Sequence, residues 1–527
     1  MNLKNDTIDM KKIAILCLSL FVAASAFAQT AEDALTLSQE FPEGTARSVA
    51  MGNAFTALGG DLGAIAINPA SSGVYRCSQF SFTPSFNTAR STASYLGNSA
   101  QSRKTGFTVS NLGVVMTFDT GNYNGLLNYN FGFVYNKKNT YRSVMKAYGS
   151  TDNTSMLSAI AAGLEGIESS EIDLETNRNA FTNSGASWPG ILAWNTYVLA
   201  PLSVLGGKYA DVNDSYIAST ENYDEASDEL RIGGVLDQQF NRKVRGGTGE
   251  FSVNFGGNVS DIFYFGVNLN LESVNYTVEE YYEEKSRNAS DFQDGFVSMD
   301  NSYWLNTAGA GVNLKFGAIF TPFAGLRLGA TFTTPTWYTL TDQWDYTMNT
   351  AFNNGNSYTQ YSPTGTYTYR LNAPMRWSVG AAYTFLEQGL LSVDYESVNY
   401  ADMTLKNDNG AVGEFSGENA YIAGNFLNAH ILRAGLELRV TPKFSLRGGY
   451  QYYSPAVKGY NQARSVYSAG LGFNLSPTTT FDLAWCRTGR VSDEFQLYDD
   501  YSSAVSVPKG TNTYRQGKLL FTLAFKF

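Results

Sequence analysis

Alternation of apolar and polar residues is the dominant pattern of this sequence, and it runs from residue 80 to the last residue. In one segment, Phe263, Phe265 and Val267 alternate with Gly266 and Asn268. Because successive side chains of a β-strand point to opposite faces, each such segment has one apolar and one polar face. A soluble β-sandwich gives the same pattern, so the alternation alone predicts strands and leaves the kind of β-protein open.

The lengths of the segments and of their connections favour a membrane-spanning barrel. Many segments reach ten residues or more, as a tilted crossing of a bilayer requires, and their second face carries charges or glycine, as a polar lumen would. Fourteen strands are predicted, over 78–90, 105–118, 125–137, 247–257, 262–280, 303–320, 325–347, 366–386, 390–403, 428–441, 444–453, 463–474, 480–490 and 513–527. Short connections are predicted at 119–124, 258–261, 321–324, 387–389, 442–443 and 475–479.

The remaining connections are longer, and one of them runs from 138 to 246. Short periplasmic turns opposite long extracellular loops are typical of bacterial outer-membrane barrels. The sequence therefore predicts an all-β protein, a 14-stranded antiparallel transmembrane β-barrel over 78–527, with a large extracellular loop over 138–246 that contains helices.

The first residues carry the pattern of a secretory signal peptide. Lys11 and Lys12 precede an apolar run, and Ala26-Phe27-Ala28 supplies small residues at the positions that a signal peptidase reads. We therefore expect a signal peptide over 1–28, with cleavage before Gln29. The mature protein would leave the cytoplasm.

The last residues form one apolar face of a strand that ends in an aromatic residue. Leu519, Phe521, Leu523 and Phe525 alternate with other residues up to Phe527. This resembles the strand signal that the barrel-insertion machinery of the outer membrane reads. We expect that machinery to be a partner of the Phe527 strand, and the bacterial outer membrane to be the location.

Composition and charge disfavour several classes of function. The net charge is −10, whereas a nucleic-acid partner requires a basic face. One histidine and three cysteines disfavour a zinc or haem site, so neither a metal nor a cofactor is expected. A single histidine also counts against histidine-dependent nucleophilic catalysis. The composition favours a protein that is not an enzyme.

The stretch between the signal peptide and the first strand, over 29–77, does not alternate. Glycine stands at 44, 52, 59, 60 and 63, which allows tight turns and close backbone packing. Apolar residues such as Phe55 and Leu62 suit a stripe on short helices. The stretch is either a periplasmic leader or small cap, or a plug, because a barrel of fourteen strands leaves an aqueous hole unless something fills it.

This stretch contains three short motifs, Ala46-Arg47, Ala50-Met51-Gly52-Asn53-Ala54-Phe55 and Asn68-Pro69-Ala70. They resemble the N-terminal hatch of the FadL-type transporters, which are outer-membrane carriers of long-chain fatty acids and other hydrophobic compounds. The resemblance implies a barrel plugged by a hatch over 29–77, an external apolar site for capture, an inner apolar pocket and a hatch shift that opens an exit. It assigns the hatch and its gating to Met51, Gly52, Phe55, Asn68, Pro69 and Ala70.

This sequence departs from the hatch pattern at two places. Gly60-Asp61 stands where two acidic residues are common, and Ser71 replaces the glycine that often follows Asn-Pro-Ala. These departures concern the gating and the choice of solute more than the fold of the hatch.

Apolar residues are unusually dense in the predicted loop over 138–246. Leu157, Ile160 and Leu164 recur at helical spacing, and Trp188, Ile191, Leu192, Trp194 and Leu199 follow. Exposed apolar patches often mark binding sites, so these residues are candidates for a groove that captures a hydrophobic ligand. The alternative is that they pack on one another as the core of the loop, and both interpretations stay open.

Two arginines on one predicted strand are candidates for holding an acidic head group. Arg433, Glu437 and Arg439 share the parity of the lumen face, so either arginine could bind a carboxylate. The favoured alternative is that they pair with Glu437 or with neighbouring acids as part of the wall.

The sequence therefore predicts outer-membrane uptake of hydrophobic compounds, with long-chain fatty acids as the favoured solutes. Outer-membrane lipid and lipopolysaccharide would surround the barrel. A diffusion porin and a surface adhesin or antigen are the alternatives. An outer-membrane enzyme would need an activated nucleophile, for which the sequence offers no convincing base.

Overall fold

The computed structural model describes residues 30–385, 388–459, 463–502 and 506–527. The predicted signal peptide over 1–28 lies outside these residues, and so does part of the predicted turn over 387–389. The strands are β1 (Gln79–Tyr95), β2 (Asn98–Asp119), β3 (Leu126–Thr140), β4 (Ser143–Thr151), β5 (Leu199–Pro201), β6 (Tyr216–Ala218), β7 (Glu221–Asp224), β8 (Glu229–Ile232), β9 (Leu236–Val259), β10 (Phe263–Ser286), β11 (Phe296–Phe323), β12 (Leu326–Thr333), β13 (Thr336–Phe352), β14 (Ser357–Tyr361), β15 (Gly365–Ala373), β16 (Arg376–Phe385), β17 (Gly389–Asn399), β18 (Thr404–Asn407), β19 (Asn428–Thr441), β20 (Phe444–Tyr453), β21 (Arg464–Asn474), β22 (Thr479–Thr488), β23 (Val491–Phe495) and β24 (Gly510–Lys526).

The helices are short and lie in two parts of the chain, before β1 and in the connections between strands. They are α1 (Ala31–Ser38), α2 (Ala46–Ala50), α3 (Leu62–Ile67), α4 (Met156–Ala162), α5 (Ser169–Ile172), α6 (Ala180–Asn183), α7 (Trp188–Asn195) and α8 (Ser416–Asn425), with a 3₁₀ helix over Pro69–Val74 after α3. In the part of the chain that the structure describes, no helix is both long and apolar enough to cross a membrane.

The wall is a single antiparallel sheet that closes on itself. Twenty of the strands belong to this sheet, and β24 pairs with β1 to complete the ring. Short strands β4, β14, β18 and β23 extend the wall at one end. Strands β12 and β13 together form one crossing of the wall, and so do β15 and β16. The described residues thus form the predicted barrel of fourteen antiparallel strands.

The two faces of the wall reverse the arrangement of a soluble protein. Large apolar side chains such as Phe86, Leu269 and Val393 point outward and are exposed. Asparagines such as Asn254 and Asn313 point inward and are buried. This arrangement fits a barrel whose outer band faces lipid and whose interior is polar.

The two ends of the barrel differ as predicted, although several boundaries move. At one end, which we call the short-turn end, the strands are joined by turns such as 260–262 and 442–443. At the other, the long-loop end, β1 and β2 continue to a tight turn at Leu96-Gly97, where the sequence predicted a longer connection. Within the predicted loop over 138–246, β4 pairs with the first half of β9, so the loop proper begins after β4.

Two neighbouring passages that the sequence predicts as continuous, over 325–347 and 366–386, are each interrupted in the structure. Thr333 of β12 pairs with Arg376, and Thr336 of β13 pairs with Ala373, so both interruptions lie at the same level of the wall. Pro335 and Pro374 stand in these gaps. Proline has no N–H to donate to a β-ladder, and this explains why the two strands break.

The segment before β1 folds as a set of capped short helices inside the barrel. The side chain of Thr45 accepts a hydrogen bond from the Ser48 N–H at the start of α2. Asp61 does the same for Gly63 at the start of α3, and Asn68 for Ala70 at the start of the 3₁₀ helix. Each cap satisfies N–H groups that a buried helix end would otherwise leave unpaired. Of the hatch predicted over 29–77, α1 lies on the long-loop side, and from here on we restrict the name hatch to residues 39–77.

Candidate functional site

The hatch backbone rests directly on glycines of the barrel wall. Three pairs of these glycines face each other across neighbouring strands, and they are Gly266–Gly317, Gly329–Gly380 and Gly435–Gly449. A Cβ atom at Gly266 would overlap the backbone of Pro69, and one at Gly449 would overlap that of Gly52. The wall is therefore shaped to receive the hatch, since only glycine leaves room for backbone to approach this closely.

Asn68 joins two parts of the hatch to the wall. Its Oδ1 accepts from the Ala70 N–H at 2.9 Å, and its Nδ2 donates to the Thr56 carbonyl at 2.6 Å and to the Ala318 carbonyl of β11 at 3.2 Å. Asn254 of β9 donates to the Pro69 carbonyl at 3.1 Å. The motif Asn68-Pro69-Ala70 is thus fixed to the rest of the hatch and to the wall by directional hydrogen bonds.

The first predicted hatch motif also makes an ionic contact with the wall. Arg47 donates to Glu437 of β19 through Nε at 2.9 Å and through Nη2 at 3.3 Å. Arg447 of β20 lies 2.6 Å from the same carboxylate and 2.5 Å from that of Asp482. Met51 and Phe55 are fully buried beside this network, with the Arg47 guanidinium 5.5 Å from the centre of the Phe55 ring.

A second ionic network fixes the upper edge of the hatch across the lumen. Glu40 lies 2.7 Å from Lys138 of β3 and 3.1 Å from Arg376 of β16. Burial would raise the pKa of Glu40, but the positive charges of Arg376 and Lys138 outweigh it and lower that pKa to about 2. Glu40 is therefore a carboxylate at neutral pH and bridges two cations on well-separated strands.

The two arginines predicted to hold a ligand carboxylate have different surroundings. Arg433 is buried, and its Nη1 lies 2.7 Å from Glu396 of β17. This is the wall pairing that the sequence analysis favoured. Arg439 is exposed at the short-turn end, where Gln388 accepts a hydrogen bond from its backbone N–H. Neither arginine lines the two large cavities described next.

A cavity of about 490 Å³ lies in the lumen above the hatch, and we call it cavity A. Its wall is aromatic: Trp188 and Trp344 have ring centres 5.5 Å apart, and Tyr303 stacks on Tyr346 at 4.6 Å. Its lining also includes Tyr276, Tyr282, Phe240, Asp33, Arg242 and Glu280. Arg242 and Glu280 form an ion pair at 3.0 Å, and burial raises the pKa of Asp33.

A second cavity, of about 460 Å³, lies against the opposite side of α1, and we call it cavity B. Aromatic and aliphatic side chains again dominate its lining, with Phe41, Tyr400, Phe426, Ile431, Tyr453 and Tyr514 among them. Arg464 also lines cavity B and donates to Gln516 at 3.3 Å. Among the described residues, no carboxylate oxygen lies within 4.0 Å of Arg464.

Helix α1 separates the two cavities. Thr30 and Asp33 face cavity A, whereas Glu32, Leu35 and Thr36 face cavity B. Ala31, Ala34 and Leu37 are buried between them. The helix is thus lined on both sides by space that a hydrophobic solute could fill.

The predicted loop residues mostly lie inside the loop. Leu157, Ile160, Leu164, Ile191, Leu192 and Leu199 are buried in one apolar cluster at the long-loop end. Trp194 packs against this cluster and contacts Tyr216, with ring centres 5.8 Å apart. Trp188 differs from them because it lines cavity A, while its Nε1 donates to the Phe181 carbonyl at 3.0 Å.

The sequence analysis did not identify the inward aromatic residues of β10, β11 and β13. The sequence analysis treated the second face of each strand as polar, and this holds at the level of the hatch. Above the hatch the same face carries Tyr276, Tyr303 and Trp344. Residues an even number of positions apart on a strand share a face. The positions of these aromatic residues relative to the inward polar residues of the same strand therefore indicate that they also point inward.

Comparison with known proteins gives a structural match. No family model matches the sequence, and no curated protein matches it either. Among solved structures, a Pseudomonas aeruginosa FadL homologue superposes with a TM-score of 0.56 at 12% identity, over 93% of this chain and 99% of that one. The P. putida toluene transporter TodX superposes with a TM-score of 0.51 at 13% identity, over 92% of this chain and 99% of that one.

These matches span nearly the whole described chain and nearly the whole of each matched structure. At this level of identity they establish the fold. Together with the glycine-lined seat of the hatch, they show that this chain has the fold of the FadL-type transporters, an outer-membrane barrel type of fourteen strands.

Proposed function

We propose that this protein takes up hydrophobic compounds across a bacterial outer membrane and that it is not an enzyme. The observation that carries the proposal is the pair of aromatic-lined cavities directly above a tightly seated hatch. Cavities of this size, lined by aromatic side chains together with polar groups, suit small-molecule binding. The short-turn end would face the periplasm and the long-loop end the outside, with the β24 strand serving the insertion machinery.

The chemistry of the two cavities suits a solute with a long apolar part. Each buried CH₂ group stabilises binding by about 0.8 kcal/mol, so such a solute enters without any covalent step. Arg464 gives cavity B a positively charged group that has no carboxylate oxygen of the described residues within 4.0 Å, although Glu32, Asp493 and Glu494 also line the cavity. A long-chain fatty acid supplies that carboxylate, and we propose it as the favoured solute. The FadL homologue and the toluene transporter TodX support the wider class of hydrophobic solutes.

The proposed route runs from the long-loop end through the cavities to the hatch. Trp188, on the inner side of the loop cluster, marks where a solute leaves the loop for cavity A. The hatch must then shift, since Met51, Phe55 and Ala70 are fully buried in the closed arrangement. A seated hatch also favours this proposal over a diffusion porin, which would conduct ions steadily in a planar bilayer.

Uptake through the cavities can be tested with two tryptophans of one strand. Trp344 of β13 lines cavity A, whereas Trp337 on the same strand points outward and is 48% exposed. Trp344→Ala should lower the saturable uptake of labelled oleate into cells by about tenfold, because a large apolar contact is lost. Trp337→Ala, at equal amounts of assembled barrel, should leave uptake close to that of the original protein. Equal uptake by both variants would show that cavity A is not on the route.

A further inference from the structure

Four arginines form a row on the outer surface of the barrel. Arg90 on β1 stands directly opposite Arg103 on β2 and Arg515 on β24, and Arg487 on β22 stands opposite Gly517 on β24. Each shares the parity of outward apolar residues on its own strand, such as Phe86 on β1 and Leu519 on β24. Like charges that face each other across a sheet destabilise it unless something neutralises them.

Among the described residues, these arginines have no acidic partner. In the ranges that the structure describes, none of Arg90, Arg103, Arg487 and Arg515 has a carboxylate oxygen within 4.0 Å. Two of the inward arginines, Arg376 and Arg447, differ from this row because each contacts two carboxylates. An unpaired basic row on a chain of net charge −10 points to an anion that is not part of the chain.

The row lies at the upper edge of the apolar band. Phe86 on β1, Phe107 on β2 and Trp485 on β22 are exposed on the same outer face, each a few residues closer to the short-turn end than the arginine of its strand. Phe80 lies near the start of β1, and the stretch of strand from Phe80 to Arg90 has about the length of one tilted membrane crossing. The arginines therefore stand at the level of lipid head groups on the long-loop side.

A cavity on the outer surface is lined both by arginines of this row and by apolar residues of the band below them. It measures about 400 Å³, and Arg90, Arg487 and Arg515 line it together with Phe86, Trp485 and Leu519. Gly517, which has no side chain, also lines it and leaves the space between the arginines open. Guanidinium groups bind phosphate oxygens in a bidentate manner, and aromatic and aliphatic side chains below them suit acyl chains.

We propose that this surface binds the phosphate of a phosphorylated glycolipid in the outer leaflet. Arg90, Arg487 and Arg515 hold the phosphate, Arg103 adds positive charge beside them, and the acyl chains lie on Phe86, Trp485 and Leu519. The proposal rests on the outer-membrane location proposed above, but it does not depend on what the lumen carries. Its role would be to fix the position and tilt of the barrel in an asymmetric membrane.

The test measures lipid binding by the purified, detergent-solubilised protein in native mass spectrometry. The probes are bisphosphorylated lipid A, the same lipid without its phosphates, and inorganic phosphate. The double variant Arg90→Gln/Arg515→Gln should lower the affinity for lipid A by at least about tenfold, because two charge-assisted contacts are lost. The control Lys443→Gln/Lys526→Gln removes the same charge from exposed positions at the short-turn end and should bind as the original protein does.

Three results would overturn the proposal: equal affinity of the two double variants for lipid A, equal binding of the lipid without phosphates, or binding of inorganic phosphate at the same concentration as lipid A. The last result would mean a site for free anions only. Heat-modifiable migration in gels confirms that each variant is assembled. Oleate uptake by Arg90→Gln/Arg515→Gln should be unchanged, so failure of the lipid site and failure of the uptake proposal give different results.

Discussion

The same N-terminal segment fills the lower and the upper half of the lumen, but different forces hold it in each half. In the lower half, hatch backbone sits on wall glycines, and Asn68, Arg47 and Glu40 bond to strands on several sides. In the upper half, α1 packs through small apolar side chains between two cavities. Its N-terminal cap is formed between Thr30 and Asp33, and at its C-terminal end one bond reaches the wall, where Arg376 donates to the Ser38 carbonyl at 2.6 Å.

This difference matches the two tasks that the proposed uptake function requires. Directional bonds and backbone contact are lost steeply with distance, so the hatch is either seated or released. Apolar contacts around a cavity can be exchanged for contacts with a solute at little cost. The lower half is therefore suited to sealing, and the upper half to binding.

The largest effect is expected from a change at the seat of the hatch. Gly449→Val places a branched side chain where Gly52 and Met51 now lie. Overpacking against backbone costs several kcal/mol, of the order of 3 kcal/mol or more here, so the hatch should leave its seat while the strand still forms. Planar-bilayer recordings should change from near-silent to steady ion conductance.

The neighbouring residue supplies the control for this change. A Cβ at Gly448 would meet no atom within 4 Å, because Gly448 faces the other side of β20. Gly448→Val should therefore stay near-silent in the same recordings. Steady conductance from both variants, or from neither, would contradict a hatch sealed by glycine contacts.

A smaller effect is expected from loss of the ionic bridge at the upper edge of the hatch. Glu40→Gln leaves Lys138 and Arg376 without one of their carboxylates. Breaking a buried ion pair typically costs about 3–5 kcal/mol, but Lys138 keeps Glu272 and Arg376 keeps Glu396, so we expect about 2 kcal/mol. Brief openings should appear in bilayer recordings, whereas Glu32→Gln, at an exposed position on α1, should give none.

The pH dependence of the same bridge has a definite sign. The pKa of Glu40 falls from an ordinary 4.5 to about 2, so its contribution to hatch stability is complete above pH 4.5 and is lost as the pH falls toward 2. Openings of the original protein should become more frequent over that range. The increase should be smaller in Glu40→Gln, and an equal increase in both would show that other carboxylates control the acid response.

The barrel could be predicted from the sequence because alternation reports directly on which face of a strand meets lipid. Fourteen passages followed from Phe263–Leu271 and similar segments, and the hatch from Asn68-Pro69-Ala70. The breaks at Pro335 and Pro374 were missed because the apolar alternation continues across them, although proline cannot donate to the ladder. The role of the inward glycines could not be predicted either, because it depends on the hatch backbone that lies against them in the folded protein.

The site residues were harder to predict because burial cannot be read from an apolar pattern in a loop. Leu157 and Ile191 have the composition of a groove, yet they are buried in the core of the loop. Among charged residues, parity placed Arg433 correctly inside but could not show that Glu396 contacts it. Arg464 was passed over because it begins a strand, and only the fold brings it to cavity B.

The smallest effect is expected from Arg464, in the upper half. Arg464→Gln removes the positive charge from cavity B and should weaken binding of oleate to the purified protein by about tenfold, the worth of one charge-assisted contact. Binding of toluene, which has no carboxylate, should not change, because the apolar lining remains. Arg439→Gln, at the exposed short-turn end, is the control and should bind both solutes as the original protein does.

If Arg464→Gln weakened the binding of toluene and of oleate equally, the arginine would support the shape of cavity B instead of recognising a carboxylate. Cavity B would then bind a solute by apolar contact and not through the charge of Arg464.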